Sequence, residues 1–311
     1  MVKEPKIGVY NASVLPAVDG DLFKSLDLIA ELGFKGVNFL HVNQDAFKAL
    51  SEADQRRILT DYPQKLGLEV TSVSCNISSE TEGDVEQRMK PLREAIDLCR
   101  ECIVPMVIVH GGERIMEDEE ENRAAWDRLV ENMKHGGAYG AEHGVKVAME
   151  PGGGVWMVHG WRLLNRLAQE VGDTFYVNLD PANITMACED PVRGVEVLGD
   201  RIIHAHLKDA RIRKPAARVK AIVEKLDDTA SNLVFSEWYA AVKADSDNKE
   251  NYWIETPVGE GDVDFKALIE ALDKVGFDGW MTVEREGAQD GDEKVRNVKQ
   301  ARDHVLSVIT E

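Results

Sequence analysis

Short apolar runs alternate with longer stretches of helical periodicity along the whole chain. The runs are mostly apolar throughout, which is typical of strands that are buried on both faces of a parallel sheet. Between them apolar residues recur at helical spacing, as at Leu22, Leu26 and Ile29. The pattern predicts eight strands, at residues 6–10, 36–40, 69–74, 105–109, 145–149, 174–179, 201–207 and 279–283. It predicts helices that include residues 22–32, 85–100, 119–143 and 263–275.

Glycine closes many of the helical stretches, and an apolar run follows almost at once. Because glycine adopts the left-handed conformation after a helix without steric cost, it turns the chain into the next element. The junctions are at Gly33, Gly67, Gly144, Gly172, Gly199 and Gly276. Eightfold strand–helix alternation predicts an α/β fold, a single (β/α)8 TIM barrel over residues 1–311. A doubly wound open sheet is the alternative, but residues 11–14 lack the glycine-rich phosphate turn that usually follows its first strand.

One connection is much longer than the others. Residues 210–256 separate the seventh predicted strand from the helix before the eighth, and they begin with a basic stretch. The later part is aromatic, with Phe235, Trp238, Tyr239, Tyr252 and Trp253. Long connections inside a compact domain are generally functional. We interpret this one as an insertion after strand 7 that acts as a lid or as a subunit interface.

The composition is strongly acidic. The chain of 311 residues has 37 Lys and Arg against 56 Asp and Glu, a formal net charge of −19. Such a surface repels phosphate backbones and anionic lipid, so we expect neither nucleic acid nor a membrane as a partner. We see no apolar stretch of the ~20 residues that span a bilayer, no signal-peptide core and no disulfide framework. We therefore expect a cytoplasmic protein, and one that forms homo-oligomers as such barrels often do.

Polar side chains stop most of the predicted strands, at the end where barrels of this kind carry their active sites. They are Asn11, His41, His110, Glu150, Asp180, His206 and Glu284. Charged groups at the mouth of an apolar barrel cost several kcal/mol unless they are paired or bound to a metal. The last four of these residues offer three carboxylates and one imidazole. That set predicts a divalent cation, with Mn²⁺ favoured and Mg²⁺ or Co²⁺ as alternatives.

Five short motifs lie at these strand ends. They are EPG at 150–152, NLDPAN at 178–183, HAHLKD at 204–209, VGEGDVDF at 258–265 and TVE at 282–284. In this order they resemble the sugar phosphate isomerase/epimerase group of the xylose-isomerase-like TIM barrels, which also includes ketose 3-epimerases and inosose-processing enzymes as relatives. The resemblance runs from strand four to the last helix. It implies an enzyme of carbohydrate metabolism without specifying the substrate.

The resemblance also implies roles for four residues. Glu150, Asp180, His206 and Glu284 match the metal ligands of the group, and Glu150 and Glu284 match its catalytic residues. In the ketose epimerases these two glutamates exchange a proton on opposite faces of the sugar. A metal that holds a carbonyl acidifies the neighbouring C–H, and a carboxylate then removes the proton. One glutamate acting twice gives isomerisation and two give epimerisation.

Further residues are candidates for contact with the substrate. They are His110, Trp156, His159, Asn183, His204 and Lys208. The epimerase relatives often have a histidine at the position of Asn183, and its absence argues against the trinuclear-zinc endonucleases of the superfamily. The segment 259–261 resembles a phosphate-binding turn, but its acidic neighbours favour a neutral sugar.

Three functions stay open from the sequence. The first is a divalent-metal-dependent isomerase or epimerase that abstracts a proton next to a metal-bound carbonyl of a sugar or keto-sugar. The second is a lyase or hydratase that acts on a keto-glycoside or an inosose with the same metal site. The third is a non-catalytic sugar-binding subunit, which would have no need of four metal-holding residues.

Overall fold

Eight parallel strands close into a barrel, which confirms the predicted fold class. The computed structural model describes residues 5–77, 84–246, 250–287 and 290–310. The barrel strands are β1 (Ile7–Tyr10), β2 (Gly36–Phe39), β3 (Glu69–Cys75), β4 (Met106–His110), β5 (Lys146–Glu150), β6 (Tyr176–Leu179), β7 (Ile202–Leu207) and β10 (Trp280–Val283). They pair in the order β1–β10–β7–β6–β5–β4–β3–β2, and each overlaps one predicted strand. Strands β8 (Asp209–Ile212) and β9 (Trp253–Thr256) form a separate antiparallel pair.

Helices surround the barrel and pack their apolar faces on it. They are α1 (Leu22–Glu31), α2 (Asp45–Lys48), α3 (Glu52–Leu59), α4 (Asp61–Lys65), α5 (Val85–Cys102), α6 (Glu119–Glu142), α7 (Gly160–Val171), α8 (Pro181–Met186), α9 (Pro191–Leu198), α10 (Ala217–Val223), α11 (Phe235–Asp245), α12 (Phe265–Lys274) and α13 (Gly291–Thr310). Many begin at an Asp cap, such as Asp21, which accepts from the amides of Phe23 and Lys24. Within the described ranges, no helix combines the length and the apolar character needed to cross a membrane.

The long connection has its own secondary structure. In the described part of 210–256 it contains most of β8, the helices α10 and α11, and β9. Its aromatic residues reach the loops at the C-terminal mouth of the barrel. The Trp238 indole N–H donates to the carbonyl of Gly154 at 2.6 Å, and the Tyr252 hydroxyl donates to the carbonyl of Met186 at 2.6 Å. The connection therefore packs on the loops that follow β5 and β6.

A third contact joins the connection to the loop after β10. The carboxylate of Glu255 in β9 accepts from the amides of Glu286 at 2.9 Å and Gly287 at 3.0 Å. It also forms an ion pair with Arg285. The loops that follow three barrel strands are thus held by one segment of the chain.

The opposite, N-terminal end of the barrel is filled by an aromatic ring. Trp280, the first residue of β10, lies against Gly36, the first residue of β2. A Cβ atom on Gly36 would lie 2.5 Å from two atoms of the indole ring and 2.9 Å from the Thr71 methyl. Glycine is required here because the indole takes the space of a side chain.

Replacing Gly36 by alanine tests this packing. We expect Gly36→Ala to lower the free energy of unfolding by about 1–3 kcal/mol, because the ring must shift within a close-packed interior. Gly153→Ala is the matched control, since its Cβ would find its nearest neighbour at 3.5 Å. Chemical denaturation of both variants measures the difference. Equal stability of the two variants would contradict this account of the barrel floor.

Candidate metal centre

Four buried side chains converge at the C-terminal mouth of the barrel. They are Glu150 at the end of β5, Asp180 after β6, His206 in β7 and Glu284 after β10, referred to below as the four-residue cluster. One potential ligand atom of each lies within 4.8 Å of those of the others. The four strands are neighbours in the barrel. The structure therefore brings together all four residues that were predicted as metal ligands.

The orientation of His206 points one ring nitrogen at two carboxylates. Its Nε2 lies 3.0 Å from the Asn38 side-chain oxygen, an acceptor, so Nε2 carries the ring proton. Its Nδ1 lies 3.2 Å from Glu150 and 3.0 Å from Glu284. Nδ1 makes no hydrogen bond of normal geometry, and neither does the facing Glu284 Oε2. The lone pair on Nδ1 and the two negative carboxylates repel one another, so a cation or a proton is required between them.

The same arrangement shifts the pKa values of the ionisable groups. Burial alone would lower the pKa of His206, but Glu150 and Glu284 together hold it well above its ordinary value. Burial raises the pKa of Asp180 well above its ordinary value, with Lys208 opposing. Burial would also raise the pKa of Glu150, but His206 and His110 outweigh it and lower that pKa. The site thus favours an added positive charge.

A second layer of buried polar residues supports Glu150 from below. The Asn178 side-chain amide donates to Glu150 Oε2 at 2.9 Å, and its oxygen accepts from His204 Nδ1 at 2.8 Å. The other nitrogen of His204 meets the Thr282 hydroxyl at 3.0 Å. His204 is fully buried and burial lowers its pKa well below the ordinary value. With both nitrogens engaged, His204 positions Glu150 and has no nitrogen left for the predicted substrate contact.

Asn183 and Lys208 both meet Asp180. The Asn183 backbone amide donates to Asp180 Oδ1 at 2.9 Å, as in a helix cap, and its side-chain amide donates to Oδ2 at 2.8 Å and to the Pro151 carbonyl at 2.9 Å. The Lys208 ammonium lies 3.8 Å from Asp180 and 3.5 Å from Glu284, and it pairs with Glu286. Burial alone would lower the pKa of Lys208, but these carboxylates raise it well above its ordinary value. Lys208 is therefore a charged donor at the edge of the cluster, whereas Asn183 orients Asp180.

Two imidazoles and one phenol line the other side of the barrel mouth. His110 Nδ1 lies 3.4 Å from Glu150 Oε2, and the ring of His41 lies 4.7 Å from that of His110 between centroids. The Tyr10 hydroxyl lies 3.5 Å from His41 Nδ1. The structure thus places the predicted substrate residue His110 directly beside the cluster.

The loop after β5 is held together by His159. Its Nδ1 lies 2.8 Å from the Trp156 carbonyl, and its ring stacks on Trp238 with centroids 3.9 Å apart. Trp156 packs under the Arg114 guanidinium, 5.1 Å from the ring centroid. Of the contacts found in the described residues, none joins His159 or Trp156 to the four-residue cluster. These two residues, which were predicted to contact the substrate, therefore lie within the loop after β5.

The acidic turn at 259–261 has no free amides for a phosphate. Asp209 accepts from the amides of Gly259 at 3.0 Å, Gly261 at 2.8 Å and Val263 at 3.2 Å. A Cβ on Gly261 would lie 2.0 Å from the Asp209 carboxylate, so glycine is required there. The motif fixes the chain after β9 and is not a phosphate site.

Sequence analysis assigned no role to Asn38, Asn178 or Thr282, which lie inside otherwise apolar strands. Two of them coincide with irregular pairing: the register of β2 with β3 shifts at Asn38, and that of β6 with β7 shifts at Asn178. Such shifts re-aim side chains next to active sites. A lone asparagine in an apolar strand, as in VNFL and VNLD, is the pattern that could have identified them.

The buried His159 predicts a pH dependence of stability. Burial lowers its pKa to about 4, so between about pH 6.5 and 4 the unfolded chain binds a proton that the folded chain does not. The free energy of unfolding should therefore fall with falling pH in this window. In His159→Gln, the slope between pH 5 and 6 should be shallower by about 1.4 kcal/mol per pH unit. Urea titrations at several pH values measure it. An unchanged slope in His159→Gln would contradict this assignment.

Comparisons with known proteins extend these observations. A family model for the xylose isomerase-like TIM barrel matches residues 26–307. The inosose dehydratase of Geobacillus thermodenitrificans is 31% identical over 163 residues, 52% of this chain and 47% of that protein. The inosose dehydratase of Glaesserella parasuis is 30% identical over 175 residues, 55% of this chain and 50% of that protein. The matched part thus spans about half the length of these curated relatives.

Solved structures share the fold at low sequence identity. The IolI protein with a bound zinc atom superposes with a TM-score of 0.69 at 15% identity, covering 97% of this chain and 98% of that one. The Bacillus anthracis protein described as the "probable 3-DHS dehydratase AsbF" gives 0.69 at 17% identity, with coverage of 97% and 98%. A D-tagatose 3-epimerase-like protein gives 0.65 at 17% identity, covering 98% and 99%. With the family match over most of its length, this chain belongs to the xylose isomerase-like TIM barrel family.

Proposed function

We propose that the four-residue cluster binds one divalent cation. The observation that carries this is the unbonded His206 Nδ1, which faces Glu150 and Glu284 at hydrogen-bond distance without hydrogen-bond geometry. Three carboxylates and one imidazole suit Mn²⁺ best among hard-to-borderline ions, and Zn²⁺ is a second candidate because the IolI structure contains it. When bound, the cation would polarise a substrate carbonyl and stabilise negative charge on its oxygen.

Elemental analysis of the purified protein tests the metal site. We expect about one divalent ion per chain in the wild type and its loss in Asp180→Ala and His206→Ala, because each variant removes one of four ligands. Asp190→Ala is the matched control. Asp190 caps helix α9 as Asp180 caps α8, and each helix begins with proline, but Asp190 lies outside the cluster. Absence of an ion from the reconstituted wild type, or retention in both cluster variants, would contradict the proposal.

We propose that the substrate is a neutral polyhydroxylated ketone. Lys208 already faces Asp180, Glu284 and Glu286. In the 259–261 turn, the amides of Gly259 and Gly261 donate to Asp209 and that of Glu260 donates to the Pro257 carbonyl. Neither feature leaves positive charge or free donors for a phosphate. The curated relatives are inosose dehydratases, and an inosose is such a ketone.

We propose that the reaction is dehydration of this ketone. Glu150 is held ionised by His206, His110 and Lys208, and Asn178 fixes its orientation, so it can accept the proton from the carbon next to the carbonyl. The electron pair of that C–H bond then forms a double bond as the C–O bond of the neighbouring hydroxyl breaks. The departing oxygen takes up the proton that Glu150 removed and leaves as water. The Lys208 ammonium, which faces both Glu284 and Asp180, donates a hydrogen bond to the departing oxygen.

Epimerisation or isomerisation is the second candidate. It is favoured by a specific observation: two glutamates, Glu150 and Glu284, approach the same ring nitrogen from different strands. Both lie where a proton can be exchanged with a carbon between them. This reaction shares proton abstraction with dehydration and differs in the fate of the hydroxyl.

Mass spectrometry and NMR of inosose treated with the metal-loaded enzyme in deuterium oxide separate these outcomes. Dehydration predicts a product lighter by one water. Epimerisation predicts a product of unchanged composition that has taken up deuterium. Glu150→Gln should lower either rate by at least about 100-fold while the protein retains its ion at saturating metal. Binding of the sugar without exchange or product in the wild type would instead identify a binding protein.

We also propose that the segment 210–256 closes the substrate site as a fixed wall and lid. Support comes from its contacts with the loops that follow Glu150, Asp180 and Glu284, through Trp238, Tyr252 and Glu255. A subunit interface on its outer face is compatible with these inward contacts.

A further inference from the structure

Besides Nδ1 of His206, two ring nitrogens beside the four-residue cluster are buried without a hydrogen-bond partner among the described residues. They are Nε2 of His41 and Nε2 of His110, and the two rings lie 4.7 Å apart between centroids at an angle of 48°. Buried polar atoms are nearly always hydrogen-bonded, so such a pair requires an explanation. The pair lies on the β2–β4 side of the mouth, and His110 Nδ1 touches Glu150 at 3.4 Å. It is therefore next to the four-residue cluster but not part of it.

The backbone holds His41 in place from both sides. The amide of Leu40 donates to the Asn11 side-chain oxygen at 2.8 Å, and the amide of Val42 donates to the Ser74 carbonyl at 3.0 Å. The Tyr10 hydroxyl lies 3.5 Å from Nδ1 of His41. Groups in or next to β1 and β3 thus hold the imidazole in place, and its Nε2 has no hydrogen bond to any described residue.

The neighbours of the two rings leave one nitrogen of each for a ligand. Burial and the neighbouring His110 lower the pKa of His41 to about 3. The Tyr10 hydroxyl lies against Nδ1 of His41 at 3.5 Å, and Glu150 lies against Nδ1 of His110 at 3.4 Å. The Nε2 atoms of both rings therefore lie side by side, and each can form one hydrogen bond with a ligand.

We infer that His41 and His110 form a hydroxyl-binding subsite for the substrate, in which the Nε2 atoms of both rings hydrogen-bond to hydroxyl groups. A sugar hydroxyl both donates and accepts, so one hydroxyl, or two on adjacent carbons, satisfies both atoms in either tautomer of each ring. The inference rests on the proposed function, and it names the part of the site that recognises a hydroxyl remote from the reacting carbonyl.

The variant His41→Phe keeps a ring of similar size and removes both nitrogens. In the metal-loaded protein, we expect it to raise the KM for inosose and the Kd for the ring polyol myo-inositol by about 3–10-fold, the loss of one or two neutral hydrogen bonds. The kcat and the metal content should stay close to the wild-type values. His41→Gln, whose amide can reach the place of Nε2, should recover part of the affinity. His143→Phe, on the outer helix α6, is the matched control and should change neither constant.

A deoxy-inositol that lacks one hydroxyl provides a second readout. For one position of the missing hydroxyl, the wild type should lose affinity about as much as His41→Phe does, whereas the variant should no longer distinguish the deoxy compound from myo-inositol. Equal KM and Kd in the wild type and His41→Phe would overturn the inference, and so would loss of the metal in His41→Phe. If the wild type binds myo-inositol but neither exchanges a proton nor forms product, the proposed reaction fails, while the Kd comparison still decides the subsite. If it binds neither polyol nor ketone, both proposals are overturned.

Discussion

The mouth of this barrel depends on how its negative charge is neutralised. Three buried carboxylates of the four-residue cluster and the nearby Glu286 face one ammonium, that of Lys208, and two imidazoles, those of His206 and His110. Isolated charges cannot be buried at such density, because each would cost several kcal/mol of desolvation. The surrounding structure responds with oriented donors, of which Asn178 on Glu150 and Asn183 on Asp180 are the clearest. The proposed cation would complete this arrangement with little change, since Nδ1 of His206 already faces the carboxylates of Glu150 and Glu284.

The position of this charge follows from the strand periodicity. Successive side chains alternate between the two faces of a strand, so residues 280, 282 and 284 share the barrel interior, as do 204, 206 and 208. From the N-terminal end to the mouth, the barrel interior holds first the Trp280 indole, then Thr282 and His204, and finally the charged side chains of the four-residue cluster. The middle layer is neutral and fully hydrogen-bonded. It separates the apolar N-terminal end of the barrel from the charged side chains at the C-terminal mouth.

The barrel and the four residues of the cluster could be predicted from the sequence because both appear as repeats. Apolar runs followed by a polar residue recur at strand after strand, and closure of the barrel brings the polar residues together. Sequence analysis missed Asn38 and Asn178 because their neighbours are apolar and their importance arises from register shifts between strands, which only pairing reveals. It left the segment 210–256 without elements for a local reason. Helix α10 follows Ala216 in a left-handed conformation and α11 follows Val234, and neither start has the side-chain cap that marks a helix in sequence. Strand alternation gives the face of the His204 side chain but not its depth, so its hydrogen bonds to Asn178 and Thr282 could not be read from the sequence.

The antiparallel pair of β8 and β9 separates the segment 210–256 from the strands of the barrel. Asp209 at the start of β8 is paired with Thr256 at the end of β9, so the chain leaves the barrel and returns to it through one narrow neck. The residues between β8 and β9 add little to the entropic cost of closing the barrel, because that cost grows only with the logarithm of the loop length. Helices α10 and α11 lie beyond this neck, so they could be exchanged while the barrel strands that carry the four-residue cluster keep their register. Such a joint allows the segment over the barrel mouth to vary while the cluster beneath it stays the same.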